Sequence, residues 1–325
     1  MEKIEKEESK KLNGMFFLEL TFFLLIFFLI SIYYSKDVFA GVGGNVTQIS
    51  QLTIGSSAPN IININAEGSI TLLPNSTKQI NCSVIIEDYD DETDLANVTA
   101  VFFHNSSSYG AADDNNSHYT NNNCSLNLSY GDTSQVLASC LFNLTYFANA
   151  GTWNCSVNAT DFSIQIDQDS NSTQIQQLLA VGLPDSIDYG VINSTFVSPE
   201  QNLNVTNFGN MQLNLSLHSY GYVNGDNNSM NCTLGASKNI SAYYEKYNLT
   251  NSTSGPLTLG QFESNYSNLT GSPSTKTFQL NYRQNDSVQG VDDANSTYWR
   301  IYVPTGVAGS CSGNIVFGAT TANGV

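Results

Sequence analysis

Two hydrophobic patterns divide this chain. From Met15 to Tyr34 the residues run MFFLELTFFLLIFFLISIYY, almost all apolar and without alternation. Beyond Ala58 apolar and polar positions instead alternate in short runs, which is the pattern of half-buried strands. In 79–86 the apolar residues Ile80, Cys82, Val84 and Ile86 fall on one face, and in 151–157 so do Trp153, Cys155 and Val157. Alternation predicts a first set of strands near 60–66, 69–73, 78–86, 95–103, 124–130, 135–145, 152–160 and 172–181. A second set is predicted near 201–206, 211–219, 230–234, 241–247, 276–282, 297–303 and 312–320, after a boundary around Leu183-Pro184-Asp185. Residues 105–123 and 248–275 are rich in Asn, Ser and Thr and show no period, so both read as polar loops, the first a mobile hairpin tip or insertion. The fold class that follows is all-β, with two β-sandwich domains behind an N-terminal transmembrane or signal helix. The segments are a polar N-terminus over 1–14, the helix over 15–34, a stalk over 35–57 with one strand from Val46 to Ile54, a first sandwich over 58–181 and a second over 182–325.

The six cysteines sharpen this picture. None forms a C-x-x-C, so zinc and redox motifs are absent, and in an exported chain disulfides are expected. Cys82 and Cys155 both face inward, and Cys155 follows Trp153 by two residues, as in the B and F strands of an immunoglobulin-like sandwich. Cys124 and Cys140 are symmetric about Asp132, in the turn candidate Gly131-Asp132-Thr133. A hairpin centred there sets Cys124 opposite Cys140 and Leu126 opposite Ala138, at separations a disulfide can bridge. Cys232 and Cys311 remain for the second domain.

About 20 apolar residues are enough to cross a bilayer as a helix, and three readings of 15–34 stay open. It is a signal peptide cut after Val38-Phe39-Ala40, or an uncleaved anchor, or a pilin-type segment. The third rests on Gly14-Met15-Phe16-Phe17-Leu18-Glu19, with Lys10-Lys11 before it, which resembles a type IV prepilin signal. That resemblance implies a cut after Gly14, with Glu19 pairing with the N-terminal amine of a neighbouring subunit; otherwise Glu19 snorkels to the membrane edge.

Charge is carried almost entirely by the part beyond Gly41. The net charge is −17. About 22 acidic residues face about 6 basic ones after Gly41, a surface that repels nucleic acid. About 24 of about 40 Asn residues stand in N-x-[ST], where chance at this Ser and Thr content gives roughly 8. Asn45, Asn97, Asn127, Asn143, Asn193, Asn248 and Asn295 are examples. Dense N-glycosylation of an exterior surface follows, against the plain alternative that polar-out strands write such triplets themselves, as in Asn81-Cys82-Ser83. One acidic run stands out, Glu87 to Asp94. Carboxylates at Asp88, Asp90, Asp91, Glu92 and Asp94 suit calcium, which takes six to eight oxygens. Immunoglobulin-like topology brings Asp161, with Asp167 and Asp169, toward the same end. The competing reading is a solvated acidic loop.

Both halves resemble uncharacterised surface proteins of DPANN-type archaea. The first half carries Ala58-Pro59, Gln79-Ile80-Asn81-Cys82 and the stretch from Ala150 to Asp161; the second carries Ser186 to Gly190, Val205 to Asn210, Trp299 to Pro304 and Gly309 to Phe317. The second is also distantly similar to WxL-type domains. The resemblance implies a surface architecture and no particular chemistry. The sequence has no G-x-S-x-G, P-loop, H-E-x-x-H or dinucleotide-binding Gly turn. His104 precedes the 105–123 loop and His118 lies within it, and both read as inert exposed residues, while Trp153 and Trp299 read as core. The expectation is a non-catalytic cell-surface glycoprotein, structural or adhesive, with a pilin-like subunit and a ligand-binding adhesin as alternatives. Its partners would be the membrane through 15–34 and other surface proteins or glycans, with calcium as the one candidate cofactor.

Overall fold

The computed structural model describes residues 21–22, 24–26, 29, 48–284 and 293–322. The described positions among 21–29 are helical. The expectations for 1–14, for the remainder of the 15–34 helix and for Asn45 lie outside the described residues. Among the described residues no helix is long and apolar enough to cross a membrane. The strand expected from Val46 to Ile54 does not form over 48–54, which is irregular.

From Gly55 onward the chain forms one compact unit with two hydrophobic cores. The first core is a sandwich of two four-stranded sheets. Its strands are β1 (Asn60–Ala66), β2 (Thr77–Glu87), β3 (Leu95–His104), β4 (His118–Asn121), β5 (Ser125–Asn127), β6 (Gln135–Thr145), β7 (Gly151–Asp161) and β8 (Ile166–Ile175). One sheet has the order β1-β2-β6-β5 and the other β4-β3-β7-β8. The inward residues of β2 and β7 are the ones alternation selects: Ile80, Cys82, Val84 and Ile86 face Trp153, Cys155, Val157 and Ala159, all buried. A disulfide joins Cys82 to Cys155 between the sheets, and a second joins Cys124 to Cys140. The hairpin register pairs Leu126 with Ala138, as symmetry about Asp132 requires.

Three expectations for this half need correction. Residues 69–73 give only a single bridge, Ile70 to Ile175, because Pro74 cuts the run short. The strand expected over 172–181 lies at 166–175 instead; this edge strand is polar on both faces over most of its length, so alternation does not reveal it. Residues 105–123 are an ordered excursion carrying β4. The Asp114 carboxylate accepts bonds from the backbone of Asn116, Ser117 and His118 and builds the turn into that strand. His118 is consequently buried, its Nδ1 2.9 Å from Asp113, and is not an exposed loop residue.

The second core gathers β9 (Val181–Gly182), β10 (Gln201–Asn207), β11 (Leu213–Tyr220), β12 (Asn228–Gly235), β13 (Asn239–Ser241), β14 (Glu245–Asn248), β15 (Ser267–Asn268), β16 (Ser274–Leu280), β17 (Ala294–Ile301), β18 (Val307–Ser312) and β19 (Asn314–Thr321). They form sheets of order β15-β14-β17-β10-β9, β16-β11-β19 and β13-β12-β18. Leu203, Val205, Leu213, Leu215, Leu217 and Trp299 fill the interior. Cys232 and Cys311 sit opposite one another on β12 and β18 and are joined. The 248–275 stretch is not one plain loop. It contains helix α1 (Leu259–Asn265), started by a capping box between Thr258 and Gln261 and anchored by buried Phe262. Buried Arg300 holds the approach to this helix by donating to Thr253 O and Gly255 O, and its Nε reaches Tyr266.

Asparagine side chains join the two sandwiches. Asn210 Nδ2 donates to Ala148 O at 2.9 Å and Gln176 O at 3.1 Å, while its Oδ1 accepts from Leu178 N at 2.7 Å. Asn116 Nδ2 reaches Phe147 O and Arg283 O, and Tyr282 donates to Asn149. Gly209 is required here because a Cβ would stand 2.1 Å from Leu178 O. Asn210→Ala leaves the buried Ala148 carbonyl and the part-buried Gln176 O and Leu178 N short of a partner, so a loss of about 1–3 kcal/mol is expected in urea unfolding of the whole chain. An unchanged unfolding midpoint would show that the junction does not rely on Asn210.

Candidate cation site

The loop that leaves β2 is folded by its own acidic side chains. Asp88 N bonds to Ser134 O and Glu92 N to Thr133 O, which ties the loop to the β5–β6 turn. Asp91 caps the 3-10 turn Glu92–Asp94, its Oδ1 accepting from Thr93 N at 2.9 Å and Thr93 Oγ1 at 2.7 Å. Those two bonds hold the Asp91 carboxyl below its ordinary value. The chain then enters β3 at Leu95, whose register partner is Asp161 at the far end of β7.

This path brings one carboxylate oxygen each from Asp88, Asp90 and Asp94 within 4.8 Å of one another. Asp88 has no exposed surface. Its Oδ1 accepts from Asp90 N at 3.1 Å, and its Oδ2 is enclosed without a hydrogen-bond partner. Burial pushes the Asp88 carboxyl up, the bond from Asp90 N opposes this, and the charges of Asp94, Asp90 and Asp161 add to the rise. Glu92 Oε2 is likewise enclosed and unpartnered.

The six expected ligands therefore divide. Asp88, Asp90 and Asp94 converge, and Asp161 lies close enough for its charge to act on Asp88. Asp161 itself is engaged, with Oδ1 accepting from Gln165 N at 2.7 Å and Oδ2 from Ser56 Oγ at 3.2 Å. Asp91 is committed to its cap, and Glu92 stands outside the convergent three. Asp167 and Asp169 serve backbone groups, at Ile61 N and Ser170 N. Sequence reasoning missed Ser56 and Ser57. Ser57 N donates to Asp90 Oδ2 at 2.6 Å, and Gln165 Nε2 donates to Ser56 Oγ at 2.9 Å. These contacts span more than 30 residues and leave no local pattern. Gly55, Ser56, Asp90, Asp94 and Ser163 surround an open hollow of about 440 Å³. The arrangement offers oxygen acceptors, and no histidine or cysteine joins the cluster among the described residues.

A second buried carboxyl lies in the other sandwich. Glu245 accepts from Tyr189 Oη at 2.9 Å, and burial pushes its pKa up to about 7 against the lowering effect of that bond. It borders a cavity of about 310 Å³ together with Leu203, Met230 and Phe317.

No protein-family model matches this sequence. No curated protein matches it either. Solved structures similar to it include the chaperone–tip adhesion subunit pre-assembly complex CsuC–CsuE from archaic chaperone-usher pili of Acinetobacter baumannii, at 12% identity over 79% of this chain and 99% of that one, with a TM-score of 0.34. A chaperone–tip adhesin complex of CFA/I fimbriae matches at 11% identity over 82% of each chain, TM-score 0.28. The C-terminal domain of an AgI/II polypeptide from Streptococcus agalactiae matches at 10% identity over 81% of this chain and 96% of that one, TM-score 0.23. These are adhesin and pilus domains rather than archaeal surface proteins or WxL-type domains. At identities and TM-scores this low, the likeness assigns neither a family nor an activity to this chain.

Proposed function

We propose that this chain is a non-catalytic cell-surface glycoprotein with a structural or adhesive role in the cell envelope, either anchored by the 15–34 helix or released from it. The observation that supports this reading is where the N-x-[ST] asparagines lie. Asn127, Asn143, Asn193 and Asn295 are exposed, Asn97 and Asn248 are half-buried, and others such as Asn75, Asn105 and Asn251 sit in loops that strand alternation does not write. Among the described residues of this type only Asn214 is buried, its Oδ1 accepting from Phe278 N and Gln279 N. Three disulfides in a chain without free cysteine fit an oxidising exterior. Glycopeptide mass spectrometry of native material should find sugar on Asn143, Asn193 and Asn295 and none on Asn214. Bare asparagine at every site would remove the glycoprotein reading.

A pilin-like subunit is the second reading, favoured by Gly14 and Glu19 alone. N-terminal sequencing of the purified protein separates the cases. Met15 as first residue supports the pilin, Gly41 a secreted chain and Met1 an anchored one.

A further inference from the structure

We propose that Asp88, Asp90 and Asp94 bind a hard divalent cation of calcium's class, and that this ion clamps the lead-in segment Ser56–Ser57 to the end of the first sandwich. Two oxygens on opposite sides of one calcium ion stand about 5 Å apart, since each bond is 2.3–2.6 Å. The three convergent carboxylates, within 4.8 Å of one another, fit inside that span. Proximity alone would describe any acidic loop. The deciding observation is Asp88, which has no exposed surface and whose Oδ2 meets no donor. A solvated loop would keep that oxygen in water. A carboxylate oxygen closed off from water needs either a proton or a cation, and the two further carboxylates that converge on Asp88 make the site a multidentate oxygen pocket, which a cation fills and a single proton does not. Lys and Arg are absent from the whole stretch Glu87–Asp94, and Lys78 is engaged with Glu67.

The clamp follows from what the same carboxylates hold. Asp90 Oδ2 accepts from both Ser57 N and Ser57 Oγ, and Asp161 Oδ2 accepts from Ser56 Oγ. A bound ion cancels the repulsion among Asp88, Asp90, Asp94 and Asp161 and keeps Asp90 fixed as an acceptor for Ser57. Without the ion, repulsion spreads the β2–β3 loop and loosens its hold on the segment. Asp161 contributes charge and a hydrogen bond rather than ligation, because both its oxygens are taken.

The test uses the full purified chain and calcium chloride, magnesium-free, against chelator, and so does not depend on the surface assignment. With extracellular-type affinity near 10⁻⁴–10⁻³ M, 10 mM calcium should raise Tm by roughly 4–10 °C. It should also slow proteolytic cleavage within 48–57 by roughly tenfold, the same order as the folded-state occupancy it adds. Asp94→Asn should lose both effects while melting in chelator no lower than wild type, since one repelling charge is gone. Equal melting in calcium and chelator overturns the site. A calcium shift that survives Asp88→Asn with Asp94→Asn places the ion elsewhere and overturns it too. A rise in Tm with unchanged cleavage of 48–57 overturns the clamp.

Discussion

Trp153→Ala should destabilise the first sandwich by about 3–5 kcal/mol, the range for emptying a large aromatic site in a core that cannot collapse. Trp153 has no exposed surface and stacks on Phe102 with ring centroids 4.9 Å apart. Tyr119 and His104 close over its other edges at 5.9 and 5.7 Å. Its Nε1 donates to Asn149 O at 2.8 Å, so truncation also strips a backbone carbonyl of its donor. The Cys82–Cys155 bond two residues away holds the facing sheets at their spacing and prevents the hole from closing. Trp153→Phe keeps most of the packing and should cost less than half as much. Urea unfolding of the three proteins decides the matter, and a loss under about 1 kcal/mol for the alanine variant would contradict a tightly packed site.

The second large effect is a dependence on pH centred on Glu245. Its carboxyl is raised from an ordinary 4.5 to about 7, by burial first. Below pH 4.5 it is protonated in both folded and unfolded chains and carries no penalty. Between 4.5 and 7 the unfolded chain ionises first, so it binds fewer protons than the native state and stability falls as pH rises. Above 7 the full penalty is present, about 3 kcal/mol. Glu200 acts in the opposite sense. Burial alone would raise it, but bonds from Ser252, Tyr266 and Thr253 and the charge of Arg300 hold it below the ordinary value. Its contribution is lost as pH falls through that lowered value. Glu245→Gln removes the first effect alone. Relative to wild type, the variant should gain stability at pH 8 that it does not have at pH 4.5. The same variant-to-wild-type difference at both pH values would show that Glu245 ionises freely.

What the amino-acid pattern revealed, and what it hid, has a physical basis. Strands β2, β6 and β7 bury one face completely, so alternation located them and located Cys82 and Cys155 with them. Strand β8 lies at an edge with most residues exposed, and β4 is built by the Asp114 turn, so neither writes a period of two. The cation cluster was legible as composition, because Asp88, Asp90 and Asp94 are neighbours in one loop. The commitment of Asp91 to a cap and of Asp161 to Gln165 was not, since which oxygen accepts from which amide depends on backbone direction. Asn207 and Asn210 stood in the chain as part of the Val205–Asn210 stretch, with no sign that either is buried. Asn207 is in fact buried, its Nδ2 donating to Met211 O and Leu280 O. Only the folded chain shows that these amides replace missing backbone partners.

The wiring of the disulfides has a mechanical consequence. Pulled from its two ends, a folded chain lengthens by releasing the residues between points that carry the load. Cys82 and Cys155 are 73 residues apart, and Cys232 and Cys311 are 79 apart. Each bond is a shortcut for force, and the chain between its cysteines hangs off the loaded path. At 3.3–3.6 Å per extended residue, each bond withholds roughly 250–280 Å of slack. Cys124–Cys140 lies inside the first loop and bears no tension at all. While oxidised, the first sandwich can give out only the chain before Cys82 and after Cys155, and the second only the chain before Cys232, with β9 to β11, and after Cys311. Reduction would turn the same two sandwiches into extensible springs.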